Sequence, residues 1–305
     1  MKMKVLSRSN PAYVIGPYRE PALRVKPGEV FCVETEDAYG GIFQTPDDLV
    51  PSRLSRSGVG FSNPVTGPIA IEGAGPGDAV KVNITEVRCG DRGATRLRPN
   101  FGVLGDFARE AQVFLLRIRD KSAILPDGRT VPLAPMIGTI GVSPVLEAIA
   151  TSLPGRHGGN LDCRDIGPGC ELILPVFVPG AFLYLGDVHA TQGDGEFSGS
   201  AVEVRAEVVL SVDVISPAPQ SLTGPRVRRD GRITALASDK PLDEAVRACV
   251  SAMVDWLVAD YGFDRLGAYL YLTNCGFGRV CQMVNPLYTA GCTLDERALA
   301  PAPAP

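Results

Sequence analysis

A chain of 305 residues with 45% hydrophobic and 21% charged side chains can bury a sizeable core and carries no compositional signature of disorder. Its formal net charge of −4 argues against a broad attraction to phosphate backbones, so nucleic acid is not an expected partner. No apolar run reaches signal-peptide form or the roughly 18 residues of a membrane helix. The eight cysteines are scattered without a Cys-x-x-Cys pair and read as reduced thiols, which places the chain in the cytoplasm with no membrane contact.

Turn chemistry punctuates the first two-thirds of the chain. Pro27-Gly28-Glu29 feeds a strand at Val30 to Thr35, Pro76-Gly77-Asp78 one at Val80 to Val87, and Pro168-Gly169 one at Glu171 to Val178. Pro126-Asp127-Gly128 joins 123–125 to 129–131 as a hairpin. A short helix is a further expectation from Ser143-Pro144 to Thr151. The longest strand signal runs from Val202 to Val214, where Val202, Val204, Ala206, Val208, Leu210, Val212 and Val214 share one face. Glu203, Arg205 and Glu207 alternate with them and read as a solvated or cross-strand-paired face without a catalytic role.

Residues 215–233 are rich in proline, glycine and arginine and read as a linker, with Arg226-Val227-Arg228-Arg229 as its solvated face. A helix follows from Ser238 or Asp239, with Pro241 in its first turn and Gly262 as its stop. It buries Leu242, Ala245, Val246, Cys249, Val250, Met253 and Leu257. Leu266 to Leu272 is expected to join the main sheet. The Ala-Pro alternation from Ala298 to Pro305 reads as a mobile tail. The fold class is therefore mainly β: a β-sandwich or jelly-roll-like body with a smaller C-terminal α/β portion. Its segments are the body 1–220, the portion 221–297, either separate from the body or integrated with it, and the tail 298–305.

Chemistry concentrates in residues 186–196, where Asp187, His189, Gln192, Asp194 and Glu196 stand among three glycines. Asp187 and His189 are two positions apart on a strand, so they project from one face while Val188 points to the other. A carboxylate and a neutral imidazole suit zinc or a related divalent ion if another segment supplies a further donor. Asp162 leads as that donor, with Asp37 beside Gly40-Gly41 as a fourth. A structural Asp-His hydrogen bond is the simpler reading of the pair alone. The glycines equally suit tight turns, and turns also aim backbone N–H groups at a carbonyl oxygen.

The sequence resembles the acetamidase/formamidase family. The likeness rests on His157-Gly158-Gly159-Asn160-Leu161-Asp162, on 174–181, on Gly186-Asp187-Val188-His189-Ala190 and on Gln192-Gly193-Asp194-Gly195-Glu196. Asn63-Pro64-Val65-Thr66-Gly67-Pro68-Ile69, 72–78 and 136–144 extend it, so that it covers about Val25 to Val214. It thins in the C-terminal third, where family members often carry an acid in the stretch that here reads Asn274-Cys275-Gly276-Phe277-Gly278-Arg279.

The resemblance implies a metal-dependent amidohydrolase that converts a short linear amide, such as formamide or acetamide, to carboxylate and ammonia. It implies a divalent cation, zinc with calcium as the alternative, and a homodimer or larger homo-oligomer. On that reading Asp187, His189 and Asp162 hold the ion and Glu72 is the acid/base, because nitrogen must gain a proton before it leaves. Asn63, Asn160, Gln192 and His157 are then substrate-binding candidates. Two other readings compete: a noncatalytic β-sandwich holding a small ligand and a structural, oxygen-ligated calcium, and a Cys163 nucleophile. Ser198 and Ser200 lack the Gly-x-Ser-x-Gly elbow of a serine hydrolase.

Overall fold

The computed structural model describes residues 3–49 and 63–299, so residues 300–305 of the expected tail lie outside the described residues. Strand makes up 43% of the described residues and helix 13%, which makes the fold mainly β, without barrel closure. Among the described residues seventeen strands are joined by continuous pairing, while Val14–Ile15 and Ile149–Ala150 form a separate pair.

The turn-fed strands form where the punctuation places them, at Val30–Thr35, Ala79–Leu97, Cys170–Pro175, Ser122–Ile124 and Thr130–Pro132. Ala79–Leu97 runs ten residues past its expected end at Val87, because Glu203–Ile215 pairs antiparallel with it along most of that length. Val204, Ala206, Val208, Leu210 and Val212 enter the main apolar core together with Val188, Leu183 and Leu185. Complete burial of a valine or leucine stabilises by about 1.5–3 kcal/mol, so this stripe strongly resists a one-residue slip of register.

Around the site the strands are short and closely paired. Met136–Val142 lies between Gly158–Asn160 and Leu183–His189, with Thr139 opposite both Asn160 and Gly186. On its other side Leu183–His189 pairs with Val65–Ile71 and then, at its end, with Glu203–Ile215. Gly186 is required by this packing, since a Cβ there would lie 2.4 Å from the Pro64 carbonyl oxygen.

Three local expectations fail for identifiable reasons. The 143–151 segment is not a helix: Ser143 N–H bonds to the Ala181 and Phe182 carbonyls and Thr151 N–H to Tyr13. Those tethers override the weak intrinsic tendency of so short a segment to coil into a helix. Leu266–Leu272 is not a strand but lies within the helix Arg265–Cys275, α2, whose N-cap Asp264 accepts from Gly267 N–H. Arg226–Arg229 is a strand, paired with both Cys170–Pro175 and Arg232–Asp239. Arg226 is buried there with its guanidinium 4.4 Å from the Trp256 ring centre, because a planar cation stacks well on indole.

The expected long helix spans Leu242–Tyr261, here α1, with Pro241 at its N-cap and Gly262 closing it in the left-handed conformation. It packs on Arg232–Asp239 and Tyr288–Asp295, and Cys249, Met253, Trp256 and Leu257 build a second apolar cluster there. No helix among the described residues is long and apolar enough to cross a membrane.

Candidate active site

The end of Leu183–His189 carries Asp187, Val188 and His189 in the expected phase. Val188 is in the core, while Asp187 and His189 face a buried polar cluster. Asp162 follows the Gly158–Asn160 strand and joins them, so that Asp162, Asp187 and His189 each offer a ligand atom within 4.8 Å of the others. His189, Glu196 and Glu203 form a second such group. Four carboxyls and one imidazole thus converge in a buried site, where so many like charges persist only with protons or a counter-cation among them.

Three of the carboxyls have defined anchors. Asp187 Oδ2 accepts from Asn63 Nδ2 at 2.8 Å and lies 3.1 Å from Thr139 Oγ1. Asp162 Oδ2 accepts from Asn285 Nδ2 at 2.7 Å. Glu203 Oε1 accepts from the Ala201 N–H at 2.9 Å. Asp162 Oδ1 is buried without a hydrogen-bond partner among the described residues. Glu203 Oε2 is 3.1 Å from His189 Nε2, and Asp187 Oδ1 is 3.4 Å from the same nitrogen.

Gln192 sets the histidine tautomer. Its Nε2 donates to the carbonyls of Asp162 and Cys281, leaving Oε1 at 2.8 Å from His189 Nδ1. An amide oxygen accepts and never donates, so Nδ1 carries the hydrogen. In the neutral ring Nε2 is then a bare lone pair aimed among carboxylates, a position suited to a cation.

The acidities reflect the crowding. Burial, reinforced by Asp187, pushes Asp162 up to about 6. Burial raises Glu203 to about 7, and burial together with Asp162 holds Glu196 well above the usual carboxylate range. Burial alone would lower His189, but Glu203 and Asp187 outweigh it and raise the imidazole well above its ordinary value. The Tyr39 phenol, raised by burial and by Glu203, stays protonated 2.6 Å from Ser200 Oγ.

Backbone strain collects at the same place. Asn63, Asp162, Asp187 and Glu196 all have positive φ, between 45° and 56°, a conformation uncommon for residues with a side chain. Gly138 makes the convergence possible: a Cβ there would lie 2.6 Å from Asp162 Oδ1 and 2.9 Å from Asp187 Oδ2. Beside the cluster a cavity of about 270 Å³ is lined by Asn63, Asn160, Asp162, Asp187 and Glu203, and also by Tyr39, Arg96, Arg98 and Asn285.

Several sequence candidates lie elsewhere. Glu72 is exposed in the turn after Val65–Ile71 and does not line the cavity. Asp37 is buried, but its Oδ1 accepts from the Tyr39 and Gly41 N–H groups and its Oδ2 from Gln44, so it organises a turn outside the cluster. His157 is buried away from the cavity, with its Nε2 unpartnered among the described residues. Gln192 does not line the cavity but orients His189 from behind. Cys163 is fully buried in the main core, beside Cys281. Ser200 bonds Tyr39 and neighbouring groups, while His189 Nδ1 is engaged by Gln192.

Glu203 corrects the reading of its strand face as solvated. It stands opposite His189 in the antiparallel register, and at this end of its strand both faces are covered, one by the apolar core and the other by the cluster. Strand alternation cannot reveal that covering. Asn285 was missed for another reason: it comes from the C-terminal portion, which reaches the site through the Gly195 and Gln282 bridge.

A sequence model described as the acetamidase/formamidase family matches residues 16–151 and 145–225. The structure resembles an acetamidase from Yersinia enterocolitica, with 35% identity and a TM-score of 0.91 over 98% of this chain and 93% of the other. It also resembles a recombinant predicted acetamidase/formamidase from Thermoanaerobacter tengcongensis, with 34% identity and a TM-score of 0.92 over 97% of each chain. An acetamidase of Mycolicibacterium smegmatis is 27% identical over 293 residues, spanning 72% of this chain and 70% of its own.

Proposed function

The chain belongs to the acetamidase/formamidase family and is a hydrolase of linear, non-peptide carbon–nitrogen bonds, and on that premise we propose that it is metal-dependent. The reaction adds the oxygen of water to the amide carbonyl carbon, breaks the C–N bond and releases a carboxylate and ammonia. Short amides such as formamide and acetamide are the first substrates to test.

One observation carries the metal reading. Asp162, Asp187 and His189 each bring a ligand atom within 4.8 Å of the others in a buried site, and Asp162 Oδ1 has no hydrogen-bond partner among the described residues. A divalent cation would satisfy these donors, and a mixed nitrogen and carboxylate donor set favours zinc over calcium. Asp162, Asp187 and His189 would hold it. When bound, such an ion acidifies water and polarises a carbonyl oxygen.

The chain's own groups supply the rest. Glu203, with Oε1 fixed by the Ala201 N–H and Oε2 facing His189 outside that donor set, takes a proton from the attacking water and delivers it to the leaving nitrogen. It replaces Glu72 in this role. Asn160 accepts from Thr139 through Oδ1, leaving its Nδ2 as a donor at the cavity wall for the substrate carbonyl. Asn63 and Gln192 act by positioning Asp187 and His189.

Ammonia release from formamide and acetamide, before and after chelation and after return of zinc, tests the proposal. Full activity in protein shown to be free of metal would overturn it.

A further inference from the structure

The cavity contains more than the acidic centre needs. Ala94 lies opposite Glu203 in the strand register, so Arg96 and Arg98 follow two and four residues along the chain. At about 3.3 Å per residue their backbones lie roughly 7 and 13 Å beyond that pairing. Both side chains line the same cavity as Asp162, Asp187 and Glu203. A cationic region therefore stands a side chain's reach from the reacting groups.

Arg98 is half-buried, with its guanidinium carbon 3.7 Å from the centre of the Phe101 ring. Among the described residues no carboxylate pairs with it. Burial and the neighbouring Arg96 both disfavour its charge, a cost that an arriving anion removes. Stacking one face of the guanidinium on phenylalanine leaves its N–H edge free for in-plane donation, the geometry that matches a carboxylate. The volume points the same way: about 270 Å³ is several times the roughly 30 Å³ share of a water molecule, and formamide fills a small part of it.

We propose that Arg98, with Arg96 beside it, forms a carboxylate subsite, and that the preferred substrates are amides carrying a carboxylate at the far end, the half-amides of short dicarboxylic acids. This rests on the amide-hydrolysis reading. Water adds to the amide carbon, ammonia leaves, and the product is a dicarboxylate; no oxidant or further reactant is consumed. The amide end meets the Asp162, Asp187 and Glu203 centre, and the distal carboxylate takes charge-assisted hydrogen bonds from Arg98.

Succinamate and butyramide, matched in carbon number, separate this from general electrostatic support of the centre. Wild-type protein is expected to show a kcat/KM about 10- to 100-fold higher for succinamate, the range of a hydrogen bond to a charged group, expressed mainly in KM. In Arg98→Met that ratio falls at least tenfold, and Arg98→Lys restores part of it. Titration with sodium succinate, followed calorimetrically, gives binding in the wild type and loss of it in Arg98→Met, with circular dichroism confirming the fold of each variant. Equal efficiency on the two amides, or a ratio and succinate affinity that survive Arg98→Met, overturns the subsite while leaving amide hydrolysis standing. Arg98-dependent succinate binding without hydrolysis of either amide upholds the subsite and removes the amide reading instead.

Discussion

Gly138→Ala is the sharpest perturbation of the centre, because it adds one methyl group where two carboxylates converge. The new Cβ would lie 2.6 Å from Asp162 Oδ1, 2.7 Å from the Asp187 carbonyl oxygen and 2.9 Å from Asp187 Oδ2. Ordinary contact begins near 3.4 Å, so Asp162 or the strand beneath it must move by about 0.8 Å. Displacement on the order of 1 Å from a productive arrangement costs about 100-fold in rate, or roughly 3 kcal/mol of transition-state stabilisation. Overpacking costs about 1–3 kcal/mol of fold stability. The assays are kcat/KM from ammonia release, metal content by atomic emission, and stability by chemical denaturation. Gly193→Ala is the control, since a Cβ there meets nothing within 4 Å although it lies in the same acidic loop. If Gly138→Ala keeps wild-type metal content and kcat/KM, the convergence of Asp162 and Asp187 is not the reacting centre.

Four further outcomes are expected. Glu203→Gln should lower kcat by about 10²- to 10⁴-fold, the usual contribution of a positioned acid/base, and a loss under tenfold in folded protein would remove Glu203 from proton transfer. Glu72→Ala should leave kcat/KM within about twofold, as ordinary exposed substitutions do; a hundredfold loss would restore it to the mechanism. Gln192→Leu should weaken metal retention about 10- to 100-fold by releasing the His189 ring, which competition with a chromogenic chelator can measure. His157 provides a pH test outside the centre. Burial lowers its pKa to about 4 in the folded chain, with Glu147 opposing slightly, against about 6.5 unfolded. Below pH 6.5 the unfolded chain gains a proton that the folded chain refuses until pH approaches 4, so folding stability falls by up to about 3 kcal/mol across that window. Denaturation at pH 7.5 and 4.5 should show a smaller acid loss in His157→Gln, and identical losses in both proteins would refute the assignment.

Legibility differed by residue. Asp187, Val188 and His189 were separable by strand phase because a two-residue period is local, and the Val204 to Val212 stripe was readable for the same reason. The α1 boundaries followed from Pro241 and Gly262, whose backbone constraints act in place. Leu266 to Leu272 was misread because a short apolar run suits strand and helix alike; the Asp264 cap three residues before Gly267 was the available signal. The glycines beside Asp37 suggest a ligand site, yet the Tyr39 and Gly41 N–H groups occupy its Oδ1 and Gln44 Nε2 its Oδ2.

By itself the sequence determined a mainly β chain, the positions of its turns and principal strands, the family likeness, and three of the acidic and imidazole groups that meet. Apolar periodicity and turn chemistry act over a few residues, so they can be read without coordinates. Tertiary structure alone decided that Glu203 turns inward, that Glu72 and His157 stand apart, that Asn285 reaches across from the C-terminal portion, and that Arg98 shares the cavity. Which groups oppose one another across paired strands depends on register and on what covers each face, and charges distant in the chain acquire a common chemistry through that covering.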